Sequence, residues 1–156
     1  MATESGDIKE QFQAVDELLA RWLRERRSLL GKYTELAVAL EGELSSPALK
    51  STQQDLCQQL VDYISAGHFE VYHQLVNEAE RFDDGSCVLA EQLIPSIGDT
   101  TEVILAYEDK YSQDSIPGAD LKRDLSSLGE MLESRFVLED RLIAGLHGRH
   151  RRQMEA

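Results

Sequence analysis

Basic residues are scarce in this sequence. Sixteen lysines and arginines stand against twenty-nine aspartates and glutamates, a formal charge of −13 with histidine neutral. A surface this acidic argues against binding DNA or RNA through a general field, because phosphates are repelled. It favours a basic partner or serves solubility alone, and composition by itself leaves solubility ahead. Cysteine is nearly absent. Cys57 and Cys87 have no CxxC or metal spacing, so two buried free thiols in a reducing compartment are expected. Long apolar runs are missing as well: nothing approaches the ~20 residues of a membrane span. The opening MATESGDIKEQ is polar and acidic, unlike a signal peptide. The expectation is one cytoplasmic domain of 156 residues, with no membrane and no direct nucleic-acid partner.

Motifs that carry chemistry are missing too. There is no P-loop, no phosphate-cradling glycine loop and no serine or cysteine nucleophile motif. Ser65 near His68 lacks an oxyanion site and an orienting acid. The histidines are His68, His73, His147 and His150. Helical bundles build metal sites from inward-facing glutamate and histidine. Here Glu70 lies two residues from His68 on a different face, and His68 and His73 point away from one another. A metal-binding bundle enzyme is a weak alternative; no catalysis and no cofactor are expected.

What the chain does have is helical periodicity. Ile8, Phe12, Val15, Leu19, Trp22, Leu29, Tyr33, Leu36 and Leu40 step mostly by three or four, predicting a helix from about Asp7 to Glu41 unless Gly31 bends it. Trp22 lies on this stripe, so core packing is its ordinary explanation and interface anchoring the sharper one. Gly42–Pro47 is a connector, with Ser46 and Pro47 opening the second helix. That helix either stops near Ser65 or continues past Gly67 to about Arg81. Asp83–Ser86 is a loop, Ser86 the expected N-cap of the next helix. Leu89, Leu93, Ile94, Ile97, Ile104 and Tyr107 follow at helical spacing, with a kink or break expected at Pro95. A connector at 113–120 precedes the most regular stripe, Leu121 to Leu146, which is expected to end near Gly148. Residues 1–6 and 148–156 read as disordered ends. Strand alternation and repeats are lacking, and the loops are short. The fold class is all-α, an antiparallel helical bundle with helices kinked or broken near Gly67 and Pro95.

The stretch DLCQQLVDYISAGHFEVYHQLV, Asp55–Val76, carries the most information. At ~100° per residue, Leu60, Ile64, Gly67, Val71 and Leu75 share one side. Asp62, Ser65, Ala66, Phe69 and His73 share the other, with Tyr63 and Tyr72 flanking. A phenylalanine on the polar side meets either a second layer of its own protein or a partner. In the last helix Arg135 and Glu139 lie close to the apolar stripe, where charge is costly unless paired. One account joins them with His68 in a buried polar network; the other turns the helix so that both sit half exposed at its rim.

LVDYISAGHFEVYHQLV, together with RWLRERRSLL at Arg21–Leu30 and SRFVLEDRLI at Ser134–Ile143, resembles the signature segments of the Rsd/AlgQ family of bacterial anti-sigma factors. Order and spacing agree over roughly residues 15–147. The resemblance implies a helical protein with a central four-helix bundle. It further implies binding to the primary sigma factor of RNA polymerase, chiefly its C-terminal domain, so that alternative sigma factors compete. On the matching segments the family's interaction residue is Asp62. Ser65, Phe69 and His73 lie on its stripe, and Trp22 and Arg26 come from the first-helix segment. Regulation of another transcription or stress factor, as in AlgQ-like control of exopolysaccharide, is the nearest alternative on the same scaffold.

Overall fold

The structure, a computed structural model, describes residues 2–42, 46–112 and 120–155. Every element among them is helical. Helix α1 (Ala2–Glu41) runs through Gly31 without interruption. Phe12, Val15, Leu19, Trp22, Leu29 and Leu36 form its buried stripe.

Helix α2 (Ser46–Ala66), a π-helical turn (Gly67–Val71) and α3 (Tyr72–Phe82) follow each other without a break, the junction residues keeping helical dihedrals. The first of the two expected irregularities is therefore a π turn, which closes i→i+5 and takes in an extra residue. Glycine stands there because α1 comes too close for a side chain. A Cβ on Gly67 would lie 3.0 Å from Trp22 Cζ2 and 3.2 Å from Tyr72 Oη. The ~1 kcal/mol cost of an interior glycine is set against that approach. Asp83, left-handed at φ 48°, ends α3, with its N–H on the Ala79 carbonyl at 3.0 Å.

Helix α4 (Cys87–Tyr111) carries the second irregularity, Pro95, in its interior, where the ring removes one donor from the ladder. Ser86 stands at its N-cap, but its side chain does not cap: the hydroxyl donates to Asp84 Oδ1 at 2.6 Å instead. Helix α5 (Leu121–Ile143) passes through a second π turn (Ala144–Gly148) into α6 (Arg149–Glu155). The expected frayed tail is thus corrected; the chain stays helical to Glu155, and the reason is tertiary, as described below. The connectors expected at 42–47 and 113–120 lie largely outside the described residues.

Contacts give the topology. Lys32 meets Asp55, Ser28 meets Gln59 and Trp22 meets Tyr63, so α1 and α2 are antiparallel. Tyr111 bonds Asp124 and Arg135 bonds Thr100, so α4 and α5 are antiparallel too. Tyr33 donates to the Leu125 carbonyl at 2.9 Å across the α1–α5 face, at Gly129, where a Cβ would overlap the tyrosine. Four rods therefore surround one core, in which Leu29, Leu36, Leu60, Leu75, Ile104, Leu128 and Leu132 are buried. Each stabilises the fold by about 1.5–3 kcal/mol through removal from water.

Candidate functional site: an exposed stripe over a buried polar floor

Asp62 is exposed, and its carboxylate accepts a hydrogen bond from Gln58 Nε2 at 3.0 Å, one turn earlier on α2. Ser65 is half-buried, and His73 is exposed. Phe69, on the outer side of the π turn, is 77% exposed, the most exposed large apolar residue among those described. Asp62, Phe69 and His73 are thus exposed along the α2–π–α3 run, and Ser65 and Phe69 share the lining of one groove. Beside them a groove of about 340 Å³ opens between the α2–π bank and α4. Its walls are Val61, Ile64, Phe69, Ile94, Ile97 and Leu105, and Tyr72, Thr101 and Arg135 lie deeper.

Three other expectations are corrected. His68 is exposed, its ring edge against Phe69 at 4.9 Å between centroids, and has no part in the buried network. Trp22 is 1% exposed, so it cannot anchor a partner. It stacks on Tyr63 at 4.7 Å and donates Nε1–H to the Tyr63 carbonyl at 3.2 Å. Arg26 has only 12% of its side chain exposed and points inward.

Beneath the groove, α1, α2, α3, α4 and α5 each send polar groups to one place. Arg135, 1% exposed, donates Nε–H to Glu139 Oε2 at 3.2 Å. Its Nη1 reaches Thr100 Oγ1 at 3.1 Å and Thr101 Oγ1 at 2.8 Å, and Nη2 reaches Tyr72 Oη at 3.0 Å. Glu139 accepts from the Tyr72 hydroxyl and, at 2.5 Å, from the Tyr63 hydroxyl. Arg26 completes the set, with Nε on Tyr63 Oη at 3.1 Å, Nη2 on Glu139 at 3.3 Å and Nη1 on Asp140 at 2.6 Å. Burial, then the nearby Glu139 charge, pushes both tyrosine hydroxyls far up, so they stay neutral donors. Burial alone would lower Arg26, but Tyr63, Asp140 and Glu139 outweigh it and raise it. Every carboxylate and guanidinium of the floor is paired, as buried charge requires.

A second buried cluster escaped the sequence reading. His147, on the second π turn, holds Nδ1 3.0 Å from Glu78 Oε2 of α3 and Nε2 3.0 Å from Asp16 Oδ1 of α1. His150, on α6, holds Nδ1 2.5 Å from Glu78 Oε1 and Nε2 3.1 Å from Ser86 Oγ. Phe12 stacks on His147 and Phe82 on His150. The available signal was spacing: His150 follows the buried Leu142 and Leu146 at four-residue steps, and Glu78 continues the stripe of Val71 and Leu75. On the outer surface Glu70 and His73 stand three apart, both exposed. Among the described residues no group of histidine, cysteine and carboxylate side chains is arranged to hold a metal ion. No helix among them is long and apolar enough to cross a membrane.

A family model described as regulator of RNA polymerase sigma(70) subunit, Rsd/AlgQ, matches residues 1–147. Over 147 residues the chain is 33% identical to the regulator of sigma D of Yersinia pseudotuberculosis, covering 92% of this chain and 87% of that protein. It is 35% identical to the regulator of sigma D of Salmonella arizonae, covering 92% and 90%. For that of Shigella boydii serotype 4 the figures are 34%, 92% and 92%. No solved structure matches.

Proposed function

The chain belongs to the Rsd/AlgQ family of regulators of the RNA polymerase sigma(70) subunit, and on that premise we propose that it is a cytoplasmic anti-sigma factor that binds the C-terminal domain of the primary sigma factor. The role is regulatory rather than catalytic. The contact surface is the stripe of Asp62, Ser65, Phe69 and His73. A single observation carries this reading: Phe69 stands 77% exposed beside an apolar groove, with the exposed carboxylate of Asp62 two turns away. An exposed aromatic at the lip of an apolar groove is the kind of residue that anchors interfaces. The acidic chain supplies the attraction. The DNA-reading surface of a sigma C-terminal domain is basic, and carboxylates take the place of phosphates on it. Covering that surface removes the primary sigma factor from promoters and favours its competitors.

The experiment is calorimetric titration of the isolated sigma domain with wild type, Asp62→Ala and Phe69→Ala, at two salt concentrations. Asp62→Ala weakens binding at least ~10-fold, which is ~1.4 kcal/mol, and more at low salt than at high. Both side chains are exposed, so neither substitution moves the thermal melt appreciably. Equal affinities for wild type and both variants remove the stripe from the interface.

A further inference from the structure

The groove beside Phe69 continues. A second depression of about 320 Å³ lies between α3 and α4 and meets the first at Ile94. Along one bank Val61, Ser65, Phe69, Tyr72, Val76 and Glu80 succeed one another at three- and four-residue steps. Along the other, α4 contributes a stripe from Leu105 through Ile94 to Cys87 at the same steps. The banks run antiparallel, and from Leu105 to Cys87 the trough is roughly 27 Å long at ~1.5 Å per residue.

The π turn is what keeps the first bank straight. Nineteen residues of uninterrupted α-helix turn through five full circles and about 100° more, which would swing Glu80 away from the face of Val61. The extra residue of the π turn returns about that one residue of rotation. Both depressions therefore open on one side of the molecule.

The far half has its own chemistry. Glu80 and Glu91 line it. Pro95 lines it too, and having no N–H it leaves the Glu91 carbonyl without its ladder donor. Two carboxylates, and a carbonyl that lacks its α-helical donor, thus belong to residues lining this half, together with Val76 and Ala90. Between Val76 and Asp114 the sequence has ten acidic residues and two basic ones. We propose that the two depressions form one docking surface for a single basic amphipathic helix of the partner. Its apolar stripe lies along the trough, and its lysines or arginines meet Glu80, Glu91 and the Glu91 carbonyl. About eighteen residues of helix span that length, in the helix-in-groove mode with anchors at i, i+3/i+4 and i+7. This rests on the reading that a partner docks at Phe69, and it adds how far the contact extends and what covers it.

Cys87 reports on the far half. It is half-buried in the second depression, about eleven residues of α4 from the wall facing Phe69. Cys57 is buried, its thiol pushed up to about 12 by burial, and serves as the silent control. The test measures alkylation of Cys87 by iodoacetamide, with and without saturating sigma C-terminal domain, alongside the affinity of Glu91→Lys. Glu91 is exposed, so that variant folds. The proposal requires Cys87 alkylation to slow at least ~5-fold, and Glu91→Lys to weaken binding at least ~5-fold, as like charge placed against a basic partner does. Binding that depends on Asp62 but leaves Cys87 or Glu91 indifferent overturns the trough and leaves the anti-sigma reading standing. A sigma domain that does not bind at all overturns both.

Discussion

At the scale of single residues, Glu139 has more depending on it than any exposed group. It is fully buried and receives Arg26, Arg135, Tyr63 and Tyr72. Removing one partner of such a set leaves uncompensated charge behind, so Glu139→Ala is expected to cost about 3–5 kcal/mol in urea unfolding. Glu139→Gln keeps the shape and one of the two acceptor oxygens and is expected to cost less; an equal loss would show that charge pairing rather than shape matters. The exposure of Asp62 and Phe69 was legible in the sequence, because helix rotation alone separates them from Leu60 and Ile64. His68 was not, because it lies at the edge of the apolar face, where a small rotation decides between the interior and solvent. Arg26 was legible as a cation and not as a buried one. Its neighbours Glu139 and Asp140 are more than a hundred residues away in sequence.

At the scale of elements, the last helical segment is a clasp. Its residues HGRHRRQ look solvated, yet His147 and His150 lie inside. Both ring nitrogens of His147 face carboxylates, Glu78 and Asp16, so both carry protons and the ring is charged. His150 faces Glu78 and the Ser86 hydroxyl, which itself donates to Asp84. Arg151 on Asp16 and Arg149 on Asp84 close the outside. Burial alone would lower the His147 pKa, but hydrogen bonds to Glu78 and Asp16 outweigh it and hold it above its ordinary 6.5. Burial alone would raise Glu78, but His147 and His150 outweigh it and hold it below its ordinary 4.5. The signs then fix the window. The histidine contribution is complete below 6.5 and is lost as pH rises through its raised folded value. The Glu78 contribution is complete above 4.5 and is lost as pH falls through its lowered folded value. The melting-temperature gap between wild type and His147→Ala is therefore widest from about pH 4.5 to 6.5 and narrows on both sides. A gap that does not vary with pH would reduce His147 to packing against Phe12. Spacing alone places His150 on the buried stripe, but the partners of the clasp could not be read locally: the charged tail packs where α1, α3 and the loop before α4 supply the opposite charge.

At the scale of the whole molecule, three- and four-residue apolar steps sufficed for the bundle, since each long stripe needs a neighbour to cover it. The pairing across the bundle that builds the polar floor, the clasp and the trough depends on which stripes meet, and periodicity does not carry that. The meeting point is the one tryptophan of the chain. Trp22 lies between Tyr63, stacked at 4.7 Å, and Tyr72, edge-on at 5.9 Å, and it touches the inner side of the π turn whose outer side bears Phe69. The protein therefore contains its own optical gauge. Its indole emission comes from a single dry environment, blue-shifted and inaccessible to iodide. A tryptophan-free sigma domain seated on Phe69 adds no chromophore and stays one helix thickness away. Rigid docking, the usual case for preorganised surfaces, leaves the emission maximum and the quenching unchanged at saturation. A red shift on binding would mean that the π turn relaxes under its partner, and the same cuvette would then time that motion.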